Sequence, residues 1–242
     1  MGTLSGKGAL VTGGSRGIGR AIVERLTGDG ASVVFSYRSD AEAAGQVAER
    51  TGALAVQADQ ASRDDLDRLF AEAEKALPGI DILVNNAAEH RHGPIAEITE
   101  ETYERVFAAN ARATFLAIQW ACRVMRDGGR IINISTLNTA IPAPGLALHT
   151  ATKAAVEQFA KVAARELGGR GITANTVSPG ATDTDTLRAS NPPEALETST
   201  ALAALQRLGR PDDIAAVVAF LAGPDSRWIT GQNLLATGGL IL

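Results

Sequence analysis

The chain has 242 residues, of which 45% are hydrophobic, which is enough for a sizeable core in one large α/β domain or two small ones. Its formal net charge is −4 and its basic residues are scattered, which argues against a nucleic-acid partner and against a polybasic membrane anchor. No apolar run reaches the roughly 18–20 residues of a membrane span, no secretory signal precedes Lys7, and the single cysteine, Cys122, cannot form an internal disulfide, so we expect a cytoplasmic protein.

Short apolar runs alternate with longer amphipathic stretches along the chain, which is typical of strands that alternate with helices. The predicted strands cover residues 8–12, 32–37, 53–57, 82–84, 130–135, 172–177 and 233–236. The predicted helices cover residues 18–28, 40–51, 99–125, 150–167 and 212–221, with a further helix between an N-cap at Ser62 and Pro78. Such alternation favours a parallel sheet with helices on both faces. Because no linker or repeat interrupts it, we predict a single domain over residues 1–242, with a doubly wound α/β fold of about seven strands.

One stretch, residues 179–210, has no clear pattern and contains Pro192-Pro193. It is too long for an ordinary connection in a compact domain, and segments of this kind are often lids or binding loops. We therefore predict a substrate lid at about residues 180–210, with a disordered insertion as the alternative.

A glycine-rich turn, Thr12-Gly13-Gly14-Ser15-Arg16-Gly17-Ile18-Gly19, lies between the first predicted strand and the first predicted helix. A dinucleotide pyrophosphate needs a tight turn, close approach of the backbone and the free amides of a helix N-terminus. A glycine-rich turn alone is a weak signal, but the strand before it and the helix after it supply the required context. The turn therefore predicts a dinucleotide-binding site.

Several motifs occur in one order on these elements: the spacing T-G-x-x-x-G-x-G, Asn85-Asn86-Ala87-Ala88 after the fourth strand, Pro179-Gly180 after the sixth, and Gly231-Gln232 near the end. Together they resemble the short-chain dehydrogenase/reductase family over nearly the whole chain, most closely its 3-oxoacyl-carrier-protein reductase and glucose dehydrogenase branches. The resemblance implies a Rossmann fold, a small-molecule substrate and a homodimer or homotetramer. It also implies these residues around a nicotinamide nucleotide: Gly13, Ser15, Arg16, Gly17, Ile18, Gly19, Asp59, Asn86, Ala87, Lys153, Pro179, Gly180 and Thr182.

The end of the second strand indicates which nucleotide is bound. Folds that bind NAD place an acidic residue there to accept the ribose 2′-hydroxyl. Here the chain reads Ser36-Tyr37-Arg38-Ser39, with no carboxylate before Asp40. Arg38 and Arg16 suit a 2′-phosphate instead, because guanidinium groups bind phosphate well. We predict NADP(H) in preference to NAD(H); the alternative is that both arginines are solvated surface charges.

The family resemblance implies a catalytic tyrosine, a lysine four residues later on the same helix face, a serine, and an asparagine that supports a proton-relay water. The lysine is Lys153, but four residues before it stands His149, and Thr136 takes the place of the serine. Asn110, in the long predicted helix, takes the place of the asparagine. The predicted catalytic set is therefore atypical, because it lacks the tyrosine.

Histidine changes the acid–base chemistry at this position. Imidazole has a pKa near 6.5 and the phenol of tyrosine one near 10, and the nearby charge of Lys153 disfavours an imidazolium. A neutral His149 is a better base or hydrogen-bonding group than a proton donor. Three hypotheses follow: a carbonyl reductase or alcohol dehydrogenase in which His149 is the acid–base group, a reductase of imines, iminium ions or other unusual substrates, and a redox-inactive or non-redox relative. A further alternative is that His149 merely fills the space of the tyrosine.

Two other segments bear on partners. The loop His90-Arg91-His92 follows the Asn85-Asn86-Ala87-Ala88 turn and suits an acidic substrate or a carrier-protein thioester, or is simply solvated. His90 and His92 have no third ligand in view, so we predict no metal site. The apolar end, residues 240–242, suits burial against a second subunit or packing on its own domain.

Overall fold

Parallel strands and helices alternate in the computed structural model, which describes residues 2–240. The strands are β1 (Gly8–Val11), β2 (Ser32–Tyr37), β3 (Leu54–Gln57), β4 (Ile80–Asn85), β5 (Met125–Ile134), β6 (Thr173–Pro179) and β7 (Asn233–Ala236). The α-helices are α1 (Gly17–Gly28), α2 (Ala41–Thr51), α3 (Arg63–Ala76), α4 (Glu100–Phe107), α5 (Ala113–Val124), α6 (Ala147–Leu167), α7 (Asp185–Ser190), α8 (Pro193–Leu202) and α9 (Pro211–Ala222). Ile241 and Leu242 of the predicted apolar end lie outside the described residues, as does Met1.

Within residues 2–240, the seven strands form one parallel sheet in the order β3-β2-β1-β4-β5-β6-β7. The direction of strand succession reverses between β1 and β4, which creates a crevice at the carboxyl ends of these strands. The prediction of a single-domain, doubly wound α/β fold of about seven strands is confirmed.

Two hydrophobic clusters, one on each face of the sheet, hold the helices in place. One cluster joins the apolar stripes of α1, α2 and α9, represented by Ile22, Val47 and Val218, to the sheet. The other joins those of α3, α5 and α6 and includes the stacked rings of Phe70 and Trp120 at 4.7 Å. Burial of apolar stripes on both faces explains why the strands are continuous apolar runs.

The predicted helix over residues 99–125 is present as one helical stretch from Glu100 to Val124, but a π-helical segment interrupts its α-helical geometry. The chain forms α4, then a π-helical segment from Ala108 to Arg112, and then α5, which ends at Val124. The apolar period of the sequence continues across the segment, so the pattern carries no sign of the interruption. The π-helical segment contains Asn110, whose side chain is hydrogen-bonded to Glu89 and Thr152. Such π-turns are frequent at functional sites.

Other boundaries also differ from the prediction. α6 begins at Ala147, before the predicted start at residue 150, so His149 lies in its first turn. Residues 180–210 contain two helices, α7 with Thr184 as a hydrogen-bonding N-cap and α8 with Pro193 in its first turn. No helix in the described part of the chain is long and apolar enough to cross a membrane.

Candidate active site

The glycine-rich turn forms a narrow cradle between β1 and α1. A Cβ atom at Gly19 would collide with the carbonyl oxygen of Gly13 and lie 2.5 Å from Nδ2 of Asn86. That amide of Asn86 donates to the carbonyl oxygens of Thr12 and Gly13 at 3.0 Å each, and Gly13 has a φ of 71° that favours glycine. The first turn of α1 has no side-chain cap, so its N–H groups are available to an anion.

A single cavity of about 720 Å³ runs from this cradle across the carboxyl ends of the strands to α7 and α8. It brings together every predicted site residue but one. The residues on its wall are Gly13, Ser15, Arg16, Gly17, Ile18, Gly19, Arg38, Asp59, Asn86, Ala87, Thr136, His149, Lys153, Pro179, Gly180 and Thr182. Asn110 is the exception, because it is 1% exposed and lies behind the wall.

Asp59 stands at the end of the cavity that follows β2 and β3, and both oxygens of its carboxylate bind Arg105 at 2.9 and 3.0 Å. Desolvation opposes its ionisation, but the hydrogen bonds from Arg105 and from the Ala61 N–H prevail and hold the pKa of Asp59 below its usual value. Asp59 is thus an ionised carboxylate at the end of the cavity that carries Arg38.

Glu89 is a buried carboxylate that the sequence reasoning did not identify. Its side chain is 5% exposed and forms ion pairs with Arg38 at 3.0 Å, Arg105 at 2.9 Å and Arg91 at 2.8 Å. Arg38 is therefore an ion-paired residue on the cavity wall, whereas Arg16 is exposed and has no ion pair within residues 2–240. The available signal was the position of Glu89 directly after the Asn85-Asn86-Ala87-Ala88 turn.

Asn110 connects the π-helical segment to the backbone of Glu89. Its Oδ1 accepts from the Glu89 N–H at 2.7 Å, and its Nδ2 donates to the Glu89 carbonyl oxygen at 3.0 Å and to the Thr152 hydroxyl at 3.2 Å. The Asn110 side chain is consequently engaged in holding the loop after β4 against α6.

His149 points from the first turn of α6 to the cavity and is 6% exposed. Its Nδ1 is buried and has no hydrogen-bond partner, which leaves Nε2 as the nitrogen that faces the cavity. Its ring stacks on that of His90, with ring centroids 4.2 Å apart and an interplanar angle of 31°. Desolvation, followed by the proximity of His90 and Lys153, lowers the pKa of His149 to about 2.

Lys153 lies one turn further along the same face of α6 and is 4% exposed. Its ammonium donates to the Ile134 carbonyl oxygen at the end of β5, at 2.6 Å. Burial lowers the pKa of Lys153 to about 8, so the ammonium form still dominates at neutral pH. Lys153 is therefore a stronger acid than a neutral His149 ring.

Thr136 follows β5 and supplies a hydroxyl on the cavity wall. That hydroxyl donates to Oδ1 of Asn138 at 3.2 Å and accepts from its N–H at 3.3 Å. A hydroxyl donates one hydrogen bond and accepts two. To donate to a carbonyl oxygen in the cavity, the Thr136 hydroxyl would therefore have to give up the hydrogen bond that it donates to Asn138.

The half of the cavity nearest α7 and α8 has an uncharged lining. Its side chains are apolar or carry hydroxyl and amide groups, among them Ile141, Leu146, Leu187, Ser190, Asn191 and Leu202. The carboxylates on the cavity wall are Asp40, Asp59 and Glu89, and the last two are ion-paired to arginines. This half suits an uncharged substrate, while Lys153 supplies the nearby positive charge.

Known proteins are similar to this chain in sequence and in fold. Residues 13–241 match a family model described as enoyl-(acyl carrier protein) reductase. The chain is 40% identical to the cyclic-di-GMP-binding biofilm dispersal mediator protein of Escherichia coli (strain K12), over 96% of this chain and 95% of that protein. It is similar to a short chain dehydrogenase from Burkholderia cenocepacia J2315 in complex with NADP, with a TM-score of 0.93, 40% identity and coverage of 98% and 99% of the two chains. It is also similar to the angucycline C-6 ketoreductase LanV with bound NADP, with a TM-score of 0.92, 43% identity and coverage of 99% and 97%.

Proposed function

The chain belongs to the short-chain dehydrogenase/reductase family, and we propose that it transfers a hydride between NADP(H) and the carbon of a small-molecule carbonyl or alcohol. The observation that carries this proposal is the single cavity that joins an anion-binding glycine cradle to Thr136, His149 and Lys153. Two relatives of similar fold are described as complexes with NADP, and one of them as a ketoreductase.

The residues present fit the phosphorylated cofactor. The cradle at Gly13, Gly17 and Gly19 and the uncapped first turn of α1 would hold the pyrophosphate. Arg16 and Arg38 would bind the 2′-phosphate, since guanidinium groups match phosphate geometry. The remaining residues proposed to contact the nucleotide are Ser15, Ile18, Asp59, Asn86, Ala87, Lys153, Pro179, Gly180 and Thr182. When bound, NADP(H) supplies the hydride chemistry.

The protein's own contribution concerns the substrate oxygen. Reduction of a carbonyl adds a hydride at carbon and a proton at oxygen, so the developing negative charge on oxygen needs hydrogen-bond donors. The hydroxyl of Thr136 and the Nε2–H of a neutral His149 would hold this oxygen, because a neutral imidazole can polarise a carbonyl without an imidazolium. Lys153 would provide the positive charge and the proton, and Asn110 would hold the adjoining loop.

Electrostatics favours a carbonyl over an iminium substrate. A low pKa of His149 is compatible with a reduction that needs no acid, such as that of an iminium ion. However, the ammonium of Lys153 would repel a cationic substrate, and Glu89, a carboxylate on the cavity wall, is already paired with three arginines. A redox-inactive, nucleotide-binding role is the second candidate, because one relative is named for binding cyclic-di-GMP.

Residues 180–210 are proposed to be a substrate lid. The two ends of this segment are joined where Gly209 donates to the Ala181 carbonyl oxygen at 2.9 Å and accepts from the Asp183 N–H at 2.8 Å. Between these ends, Thr184, Leu187 and Leu202 contribute to the cavity wall. A lid of this composition would exclude water from the site of hydride transfer.

We also propose a homodimer or homotetramer, supported by apolar side chains that stay exposed on one chain. Phe115 on α5 is 47% exposed and Val162 on α6 is 55% exposed, while Trp228, before β7, is 97% exposed. Exposed apolar groups of this size often mark interfaces.

A cytoplasmic location is also proposed. It agrees with the presence of a single cysteine, Cys122, which cannot form an internal disulfide.

The decisive experiment measures NADPH oxidation with a panel of ketones, quinones and cyclic imines, and NADP⁺ reduction with the matching alcohols. We expect turnover of ketones, and NADPH used better than NADH. His149→Phe keeps the stack on His90 but removes both ring nitrogens, so kcat should fall about a hundredfold, as it does when an oxyanion donor is lost. His149→Tyr restores a donor and should keep or raise ketone turnover.

The matched control is Thr150→Val, which changes the next residue of the same helical turn, outside the cavity wall. We expect wild-type turnover from it. Turnover of imines without ketones would contradict the carbonyl assignment. NADPH binding without oxidation of NADPH by any member of the panel would favour the redox-inactive candidate.

A further inference from the structure

All three histidines of the sequence lie on the wall of one cavity. His90 and His92 come from the loop after β4, and His149 comes from α6. His90 is an exposed residue on the cavity wall, and one face of its ring covers that of His149 at a centroid distance of 4.2 Å. His92 forms no comparable stack within residues 2–240.

The contact with the ring of His90 is the one that can fix the orientation of the His149 ring. Buried imidazole rings are usually oriented by a hydrogen bond to one nitrogen, but Nδ1 of His149 is buried without a partner. A ring with no hydrogen bond at Nδ1 depends on packing for its orientation, and offset or tilted stacking restricts rotation of the ring.

His90 is itself held from two directions. Asn110 binds both the N–H and the carbonyl oxygen of the preceding residue, Glu89, at 2.7 and 3.0 Å. The carboxylate of Glu89 is fixed by three guanidinium groups, those of Arg38, Arg91 and Arg105. The backbone that carries His90 is thus anchored both to the π-helical segment and to the end of the cavity that carries Arg38 and Asp59.

We propose that His90 is a positioning residue that fixes the ring of His149 so that Nε2 points to the substrate oxygen. This inference rests on the proposed function for its catalytic meaning, but the stack itself can be tested without any substrate. His90 does not need to touch the substrate, and it acts through His149.

The electrostatic setting agrees with this role. The titratable groups that act on His149 are His90, His92 and Lys153, and each disfavours its protonation. The pKa of His90 is also lowered, to about 4, by desolvation and then by the charge of Lys153. Two stacked, neutral rings therefore persist at neutral pH, and removal of one ring admits water to the other.

The test compares His90→Ala, His90→Phe and, as the matched control, His92→Ala, each with histidine labelled for NMR. In the wild type His149 should not titrate between roughly pH 5 and 8, the range in which an unperturbed histidine does. His90→Ala should move the His149 titration to higher pH, because the ring becomes hydrated. His90→Phe should leave it near the wild-type position, since a phenyl ring preserves the stack, and His92→Ala should move it less than His90→Ala.

The second readout is the kinetics of NADPH oxidation with any substrate that the protein reduces. His90→Ala should lower kcat about tenfold to a hundredfold, as expected of a misaligned catalytic group, with a much smaller change in KM for NADPH. His90→Phe should recover most of kcat. An unmoved His149 titration in His90→Ala, or equal effects of His90→Ala and His92→Ala, would overturn the proposal. Failure of the proposed function alone would leave the NMR result intact and abolish only the kinetic one.

Discussion

At the scale of single residues, the chemistry of the cavity depends on two bases one helical turn apart. Burial lowers the pKa of both His149 and Lys153, to about 2 and about 8. The histidine is therefore neutral at pH 7 and the lysine is mostly charged, which agrees with their proposed roles as a hydrogen-bonding group and a proton source. A tyrosine at position 149 would combine both roles in one phenol.

Cofactor preference is also a property of single side chains. We expect the double variant Arg16→Ala with Arg38→Ala to weaken NADPH binding about a hundredfold or more, because each charge-assisted hydrogen bond to a phosphate is worth about 1.5–3 kcal/mol and two are lost. NADH, which has no 2′-phosphate, should bind as before. Titration of each nucleotide by fluorescence measures both constants.

The matched control for this prediction is Arg63→Ala. Arg63 is also on the surface and ion-paired, to Asp67 at 2.8 Å, but it lies on α3, off the cavity wall. Its removal should leave both nucleotide affinities unchanged. Equal weakening of NADPH and NADH by the double variant would show that the two arginines do not read the 2′-phosphate.

At the scale of elements, the approach of β1 and α1 to Asn86 forms the glycine cradle that we propose for the nucleotide. The turn is closed by one side-chain amide that donates to two backbone carbonyl oxygens at 3.0 Å each. No space remains for a side chain at Gly19, because its Cβ atom would collide with the carbonyl oxygen of Gly13. The glycine spacing in the sequence is thus a direct consequence of backbone packing.

We expect Gly19→Ala to abolish most NADPH affinity, by tenfold or more, because the added methyl forces the Gly13 backbone and the Asn86 amide apart. Gly28→Ala is the control in the same helix, since a Cβ at Gly28 meets nothing within 4 Å. It should keep wild-type affinity and stabilise α1 by up to about 1 kcal/mol through better helix propensity. Nucleotide titration and thermal unfolding measure the two effects, and unimpaired binding by Gly19→Ala would refute the cradle.

The π-helical segment, residues 108–112, shows what helical periodicity in a sequence does not reveal. Helical periodicity predicts α4 and α5 correctly as helical, but it cannot reveal a single wider turn between them. The segment is held by hydrogen bonds between the side chain of Asn110 and the backbone of Glu89, 21 residues away in sequence, and by a hydrogen bond that Asn110 donates to Thr152, 42 residues away. Contacts at such separations leave no mark on a local pattern.

At the scale of the whole molecule, folding buries bases that the unfolded chain exposes. Between pH 6.5 and about 2 the unfolded chain binds a proton at His149 that the folded chain does not. Stability therefore falls as pH falls below about 6.5, with a slope that approaches 1.4 kcal/mol per pH unit for this one proton. His149→Phe cannot take up this proton.

We expect unfolding by urea to give a stability that decreases from pH 7.5 to pH 5 in the wild type, and decreases less steeply in His149→Phe. Comparison of the two proteins removes the contribution of the carboxylates, which are common to both. Parallel curves for the two proteins would mean that His149 is protonated in the folded state and that its pKa is not lowered.

The sequence by itself determined the α/β class, the alternation of strands and helices outside residues 180–210, and the glycine-rich turn between the first strand and the first helix. These features depend on short-range periodicity and on spacings of a few residues, which any sequence displays directly. Only the tertiary structure decided that Glu89 gathers three arginines, that Asn110 lies behind the cavity wall, and that His90 covers His149. Arg38 and Glu89 are 51 residues apart in sequence, and their pairing follows from the parallel sheet order, which brings the carboxyl ends of distant strands to one edge.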